Sequence, residues 1–272
     1  NCAAGQTGIT INNAGVAVDT IVTGDGKFVG SSVLAALLGT IKHATIRNVQ
    51  FAGSNHLVTL GGTIGVLDIE SLSGTFAAGS HVVGLDKATS VIGTLNAVNC
   101  DYTAADTSSG ILVSKTQPAA TISAINVLGG RFTSIGRLLD TAIGSTGTIY
   151  MNVTGVHMSG CNRIAQVAGV TLDAFLNGVY LASMINETIR VHVSGALTVR
   201  GSGVRGKSGS GVVRGASEVI QIFAPDFPAD LSILTKANGA AATNTNAGLS
   251  CGLGPAISDG STWKNLYSGT TY

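Results

Sequence analysis

Charge is the first thing this sequence has little of: Asp, Glu, Lys and Arg make up 11% of its 272 residues, against about 25% in an ordinary soluble domain. The net charge of +1 gives no concentrated basic face, which excludes nucleic acid as a partner. Aromatic residues are sparse at 5%, and Pro118 is the only proline before Pro225. No segment sustains an apolar period of 3.6 residues, so helices are not expected. The longest apolar run, Val33-Leu34-Ala35-Ala36-Leu37-Leu38, stops at Gly39, far short of the roughly 18 residues of a membrane helix, so membrane insertion is not expected. Cys2, Cys100, Cys161 and Cys251 lie far apart, with no CxxC and no cluster with His. They read as free buried thiols, with disulfides or metal ligation as the other readings. The chain opens at Asn1 without a charged segment and an apolar run behind it, so no signal peptide is expected, and a fragment of a longer chain is one reading of this start.

What is abundant is glycine, with 38 residues, and apolar character, with a mean hydropathy of +0.40. A compact globule of this size needs more charge to cover its surface. A glycine-rich solenoid and an oligomer that hides its outer face both answer the shortfall, and both are expected.

The sequence repeats itself. Phe51-Ala-Gly-Ser-Asn-His-Leu-Val-Thr-Leu60 is rewritten as Phe76-Ala-Ala-Gly-Ser-His-Val-Val-Gly-Leu85, as Phe132-Thr-Ser-Ile-Gly-Arg-Leu-Leu-Asp-Thr141 and as Met158-Ser-Gly-Cys-Asn-Arg-Ile-Ala-Gln-Val167. An earlier copy starts at Phe28 and a divergent one at Tyr102. The apolar anchors at 28, 51, 76, 102, 132 and 158 are spaced by 23, 25, 26, 30 and 26 residues, the mark of a stacked repeat. Each unit carries two or three β-rich runs separated by Gly, Ser and Asn, and such a unit buries its apolar face only against a neighbour. The expected fold is all-β: a right-handed parallel β-helix, a single-stranded solenoid, with a small C-terminal β element. Leucine-rich repeats are excluded because LxxLxL is absent. Residues 1–27 are read as an N-terminal cap or first coil, 28–217 as the β-helix, and 218–272, which hold three of the four prolines and the only tryptophan, as a C-terminal capping, trimerisation or tip element. Residues 167–187 look looser, with room for a short helix or an excursion, and Val199 looks like the start of a last coil.

Counting back from the anchors gives columns. Ile69, Leu95, Ile125 and Met151, with Ser71, Ala97, Val127 and Val153, are expected inside. Leu72, Val98, Leu128 and Thr154 are expected outside as an apolar subunit contact, unless a bend turns them in. Glu70, Asn96, Asn126 and Asn152 form a polar column read as an asparagine ladder. Gln50, Thr75, Arg131 and His157 precede the anchors, with Asp101 beside them.

Several constellations bear on chemistry. Gly201-Ser-Gly-Val-Arg-Gly206 fits GxGxxG, but Lys207-Ser-Gly-Ser-Gly211 cannot form the helix that would hold a pyrophosphate, and Glu218 comes too early, so no cofactor is expected. Asp68, Glu70 and Asp101 are the candidates for the paired carboxylates of a glycoside-cleaving site; solvated polar columns, with Asp101 near Arg131, are the competing reading. His56 and His81 head a column continued by Arg137 and Arg163, and arginine next in line makes it a poor metal site, so no metal is expected.

The C-terminal segment Gly252-Leu-Gly-Pro-Ala-Ile-Ser-Asp-Gly-Ser-Thr-Trp-Lys-Asn-Leu-Tyr-Ser-Gly269 resembles the terminal segment of bacteriophage tail fibres and tailspikes, with its GP-x-x-x-DG-x-x-W-K pattern. The motif spans fewer than 20 residues. The resemblance implies a homotrimer on a virion, attached to other phage tail or baseplate proteins, that recognises a bacterial surface polysaccharide, in some members with glycosidase or lyase activity. Against large enzymatic members the coil is short and the aromatics few, which favours binding. Candidate receptor-binding residues are Trp263, Tyr267 and Tyr272 near a tip, with Asp101 and Arg131 on the coil; packing of the three aromatics in a cap is the alternative. A polysaccharide-degrading tailspike, a purely structural virion or baseplate component, and a bacterial adhesin passenger are the other readings.

Overall fold

Alternation, broken once in each early turn, builds the strands. In Thr63–Glu70 the side chains of Ile64, Leu67 and Ile69 are buried while Thr63 and Glu70 face out, and the same pattern recurs one turn later in Val91–Val98 and again in Thr121–Leu128. None of these strands can cover its own apolar side, so each is laid on the next. The computed structural model describes residues 9–12, 18–30, 33–53, 56–206, 211–215 and 218–272, and they form a parallel β-solenoid of about eight turns. Of the GxGxxG glycines, Gly201 and Gly206 lie on strands of this coil and Gly203 at the corner between them, followed by residues outside the described ones.

Each turn has three faces. Nine strands, from Ile9–Ile11 through Val58–Leu60 and Ile111–Lys115 to Val212–Arg214, stack in parallel as a short face. An 18-stranded sheet, creased along a corner, supplies the other two. Val18–Gly30 and Thr40–Gly53 run through the crease. In later turns it divides a long face (Thr63–Glu70, Thr148–Thr154, Ala196–Ser202) from an anchor face (Ser73–Phe76, Asp101–Ala104, Arg131–Thr133). One continuous apolar core runs from Phe28 to Trp263.

The crease is set by a column of left-handed residues: Asp25, Asn48, Ser71 and Asn99, then Gly129, Gly155, Gly178 and Gly203, with φ between 50° and 72°. Asn, Asp and Gly are the residues that tolerate this conformation. The amides of Ser71, Asn99, Gly129, Gly155 and Gly178 each donate to a carbonyl one turn ahead, which carries the ladder around the corner.

Three residues beyond this corner lies the anchor position. Phe28 pairs with Phe51, Tyr102 with Phe132, Phe132 with Met158, and Met158 with Leu181. In the third unit the position belongs to Gly74, which pairs with both Phe51 and Tyr102. Gly74 has a φ of 120°, and a Cβ on it would lie 1.9 Å from the Phe51 carbonyl oxygen. Phe76 sits two residues further on, opposite Gly53 and Ala104, yet its ring still fills the stack: Phe28, Phe51, Phe76, Tyr102 and Phe132 follow one another at centroid spacings of 5.6, 4.6, 5.0 and 5.2 Å.

This offset corrects the columns counted from Phe76. Leu67, not Ile69, partners Leu95, and Ile69 partners Ala97. Ser71 is exposed at the crease, and Leu72, expected outside, is 1% exposed. The outward row therefore runs Glu70, Val98, Leu128, Thr154, with Leu128 exposed and Val98 half-buried. The residue beside Asn96 is Asp68 rather than Glu70, and Ser73 rather than Thr75 joins Gln50 and Asp101.

Residues 167–187 form no excursion. Ala165–Ala168, Thr171–Asn177 and Tyr180–Ala182 are an ordinary turn of the coil, and Val199 lies on the long face beside Ala174. The long face extends to Val219–Phe223, paired with Ala196–Arg200. Beyond it, Ala241–Asn244, Gly254–Ser258 and Trp263–Asn265 pair antiparallel and close the core with Phe227, Leu231, Ala256 and Trp263. Cys100, Cys161 and Cys251 are free and buried, and burial pushes the Cys100 and Cys161 thiols up to about 11. Cys2 lies outside the described residues.

Candidate functional site

The long face is not uniform. In its early turns two inward residues are separated by two outward ones: Ile41 and Ala44, Ile64 and Leu67, Ile92 and Leu95, Ile122 and Ile125. The extra residue is a bulge. Gly65 and Gly93 occupy it where a Cβ would come within 2.5 Å of a carbonyl of the preceding turn. From Thr148–Thr154 onward the bulge is gone, and Ile149 and Met151 face in with only Tyr150 between them.

The residues that point outward change at the same place. One row runs Ala124, Tyr150, Asp173, Thr198, and the row beside it Asn126, Asn152, Phe175, Arg200. Where the bulge ends, the small side chain of Ala124 adjoins Tyr150, and a hollow of about 200 Å³ opens, lined by Ala124, Asn126, Tyr150, Asn152, Asp173, Phe175 and Arg200. Tyr150 is 58% and Phe175 46% exposed, so two rings on adjacent turns of the long face meet solvent.

The polar groups around the rings are held in place. Arg200 Nη1 donates to both oxygens of Asp173, at 2.6 and 2.7 Å. The Asn126 amide donates to Asn96 Oδ1 at 2.8 Å, and the Asn96 amide donates to Asp68 Oδ1 at 2.7 Å; Asp68 also binds His43. This ladder fixes the orientation of Asn126. The Asn152 oxygen accepts from Thr154 Oγ1 at 2.9 Å. The side-chain oxygen of Asn126 and the side-chain nitrogen of Asn152, on two residues that line the hollow, have no hydrogen-bond partner among the described residues. An acceptor and a donor beside two exposed rings match the hydroxyls and the apolar face of a sugar ring.

The residues expected to act from sequence are scattered. Asp68 is engaged by His43 and Asn96, Glu70 is exposed two residues on, and Asp101 lies around the crease on the anchor face. They form no shared cleft, so these three carboxylates are not an acid and base flanking one bond. Asp101 and Arg131 are register partners on the anchor face, but no ion pair joins them. Trp263, expected as a stacking surface, is 0% exposed and serves as the plug of the cap. Tyr267 is 84% exposed, and Tyr272 receives Lys236 Nζ at 4.6 Å from its ring centroid.

The His56 and His81 rings stack at 4.8 Å, but Ile111 separates them from Arg137 and Arg163 in the column. Burial first, and the neighbouring His56 second, push His81 down to about 4. Among the described residues no group of three or more His, Cys, Asp or Glu is placed to share a metal ion. Sequence reasoning missed Tyr150 and Phe175. The signal was available in the alternation of Thr148–Thr154 and Thr171–Asn177, which sends each aromatic outward among inward aliphatics. Compared with models of protein families, with curated proteins and with solved structures, the chain matches none.

Proposed function

We propose that this chain is the receptor-binding β-solenoid of a bacteriophage tail fibre or tailspike, and that it grips a bacterial surface polysaccharide on its long face around Tyr150 and Phe175. The observation that carries the reading is the pair of solvent-facing rings on adjacent turns, flanked by the free Asn126 carbonyl, the free Asn152 amide and the Asp173–Arg200 pair. A parallel stack is rigid along its axis, so these groups are preorganised and little ordering cost opposes binding.

The phage assignment rests on the C-terminal GP-x-x-x-DG-x-x-W-K segment, whose residues all serve the cap. Gly254 and Gly260 take φ of 116° and 98°, and Asp259 accepts from the amides and hydroxyls of Ser261 and Thr262. A homotrimer with virion localisation belongs to the same proposal. The low charge and the exposed Leu128, Leu253, Ile257 and Leu266 are its physical support. Cleavage is the weaker reading because Asp68, Glu70 and Asp101 are not gathered.

The test is retention of the chain on immobilised bacterial surface polysaccharides, with the mass in solution measured in parallel. Expected are a trimer and binding to at least one glycan, weakened about tenfold by Tyr150→Ala and by Phe175→Ala. Binding untouched by both substitutions would displace the site, and no binding to any glycan would end the receptor reading.

A further inference from the structure

The anchor face carries a second row of functional groups that the long-face site does not use. Outward on successive turns stand Asp101, Arg131, His157, Tyr180 and Arg205, each the register partner of the next. The His157 and Tyr180 rings are stacked, 4.9 Å apart and 8° from parallel. The Nδ1 atom of His157 is buried without a partner. Arg131 and Arg205, both exposed, bracket this stack, one at each end.

Neither guanidinium has a hydrogen-bond or ion-pair partner among the described residues, although Arg47, Arg137, Arg163, Arg190 and Arg200 all pair with carboxylates. In a chain with 14 acidic residues, two unpaired arginines on one short row are a local excess of positive charge. The row beside Asp101, Arg131 and His157 is low, with Thr103, Thr133 and Ser159 in register, and continues as Ala182 beside Tyr180, so no bulky side chain stands next to the Arg131, His157 and Tyr180 groups on that side.

We infer that this row is a second, separate binding site for a sparsely charged acidic polysaccharide, with Arg131 and Arg205 each taking a carboxylate of the chain and the His157–Tyr180 stack supporting the sugars between. The spacing selects the class. Three turns separate the arginines, about 14 Å at the ~4.8 Å rise between neighbouring strands. A nucleic acid strand presents a phosphate every ~3.4 Å and would find too few cations here. A glycan with one carboxylate in every two or three sugars fits the interval. Guanidinium holds carboxylate through two parallel hydrogen bonds, and Asp101 at the end of the row repels an anion laid further along. The inference is independent of the long-face reading.

The experiment measures binding, at low and high salt, of three probes to the full chain: hyaluronan oligosaccharides with one carboxylate per disaccharide, the same oligosaccharides with carboxyls reduced to alcohols, and a single-stranded oligonucleotide. Expected is salt-sensitive binding of the acidic glycan, weakened about tenfold by Arg131→Gln and again by Arg205→Gln, and unchanged by Arg47→Gln, which removes an exposed charge from the other face. Equal binding of the reduced glycan, tighter binding of the oligonucleotide, no effect of the double Arg131→Gln, Arg205→Gln variant, or no binding of the acidic glycan at millimolar concentration would each overturn it.

Discussion

The coil and its cap are built on opposite plans. In the coil every stabilising feature is repeated: rings stack on rings from Phe28 to Phe132, left-handed residues line the crease, and amides pass a hydrogen bond from Asn126 to Asn96 to Asp68. In the cap the supports are separate local turns that do not stack into columns, as at Asp230 and Asn244. Asp259 organises the turn between Gly254–Ser258 and Trp263–Asn265, with Ser258 Oγ accepting from the Gly260 amide. Asn265 accepts from the amides of Tyr267 and Ser268 while donating to the Leu253 carbonyl, and Trp263 is the largest of the buried side chains that close the end of the core. A repeated support shares a defect with its neighbours, whereas a single support concentrates it. The burial of the only tryptophan in the cap, while Tyr150 and Phe175 face solvent on the coil, follows the same division.

The largest effect is expected from Trp263→Ala, which leaves a cavity at the end of the core and costs about 3–5 kcal/mol. Hydrogen exchange should then quicken in Gly254–Ser258 and Trp263–Asn265 while Val113 and Ile125 stay protected. Uniform loss of protection would show that coil and cap are one cooperative unit. Next comes Gly74→Ala, where the new Cβ meets the Phe51 carbonyl at 1.9 Å at a φ of 120°, for roughly 2–4 kcal/mol from strain and overpacking. Gly79→Ala, with a φ of 76° and nothing within 4 Å, should cost only about 1–2 kcal/mol. Equal losses in urea unfolding would mean that close stacking at the anchor position does not matter.

The smallest effect concerns Lys115, which sits inside the coil at 2% exposure, its Nζ donating to the Pro118 carbonyl and to Ser145 Oγ at 2.7 Å each. Burial without a carboxylate pushes it down to about 8. Its folded value lies below the unfolded one of ~10.4, so folding is penalised while the amine is charged. Stability should therefore be lowest below pH 8 and should rise as the pH climbs from about 8 towards ~10.4. Lys115→Met should raise the urea midpoint at neutral pH and flatten that rise; an unchanged slope would assign it to other groups.

Much of this was legible in the chain. The anchors predicted both the stack and its rings, and the Asn column predicted the amide ladder, with Asn96 and Asn126 in their expected places. The asparagine column failed at both ends: at its first member because Phe76 looks like an anchor and is two residues late, and at Asn152, which is in register with Asn126 but accepts from Thr154 instead of extending the ladder. The crease held the correction: Asn48, Ser71, Asn99 and Gly129 stand three residues before Phe51, Gly74, Tyr102 and Phe132, so Gly74 could have been counted as the anchor. The binding surface was harder to find. Tyr150 and Phe175 are 25 residues apart, and although local alternation sends each ring outward, only the register between turns brings them to one hollow.

The sequence by itself determined that short alternating strands recur and must stack, because a strand with one apolar side is stable only when that side is covered, and a repeating chain covers it with its own copy. Only the tertiary structure decided the register between turns, the end of the bulge beside Ala124 and the inward turn of Trp263. Side-chain alternation has a period of two, so it leaves a shift of two residues undetected. The backbone ladder and the left-handed crease fix the register, and through it they determine which distant side chains meet.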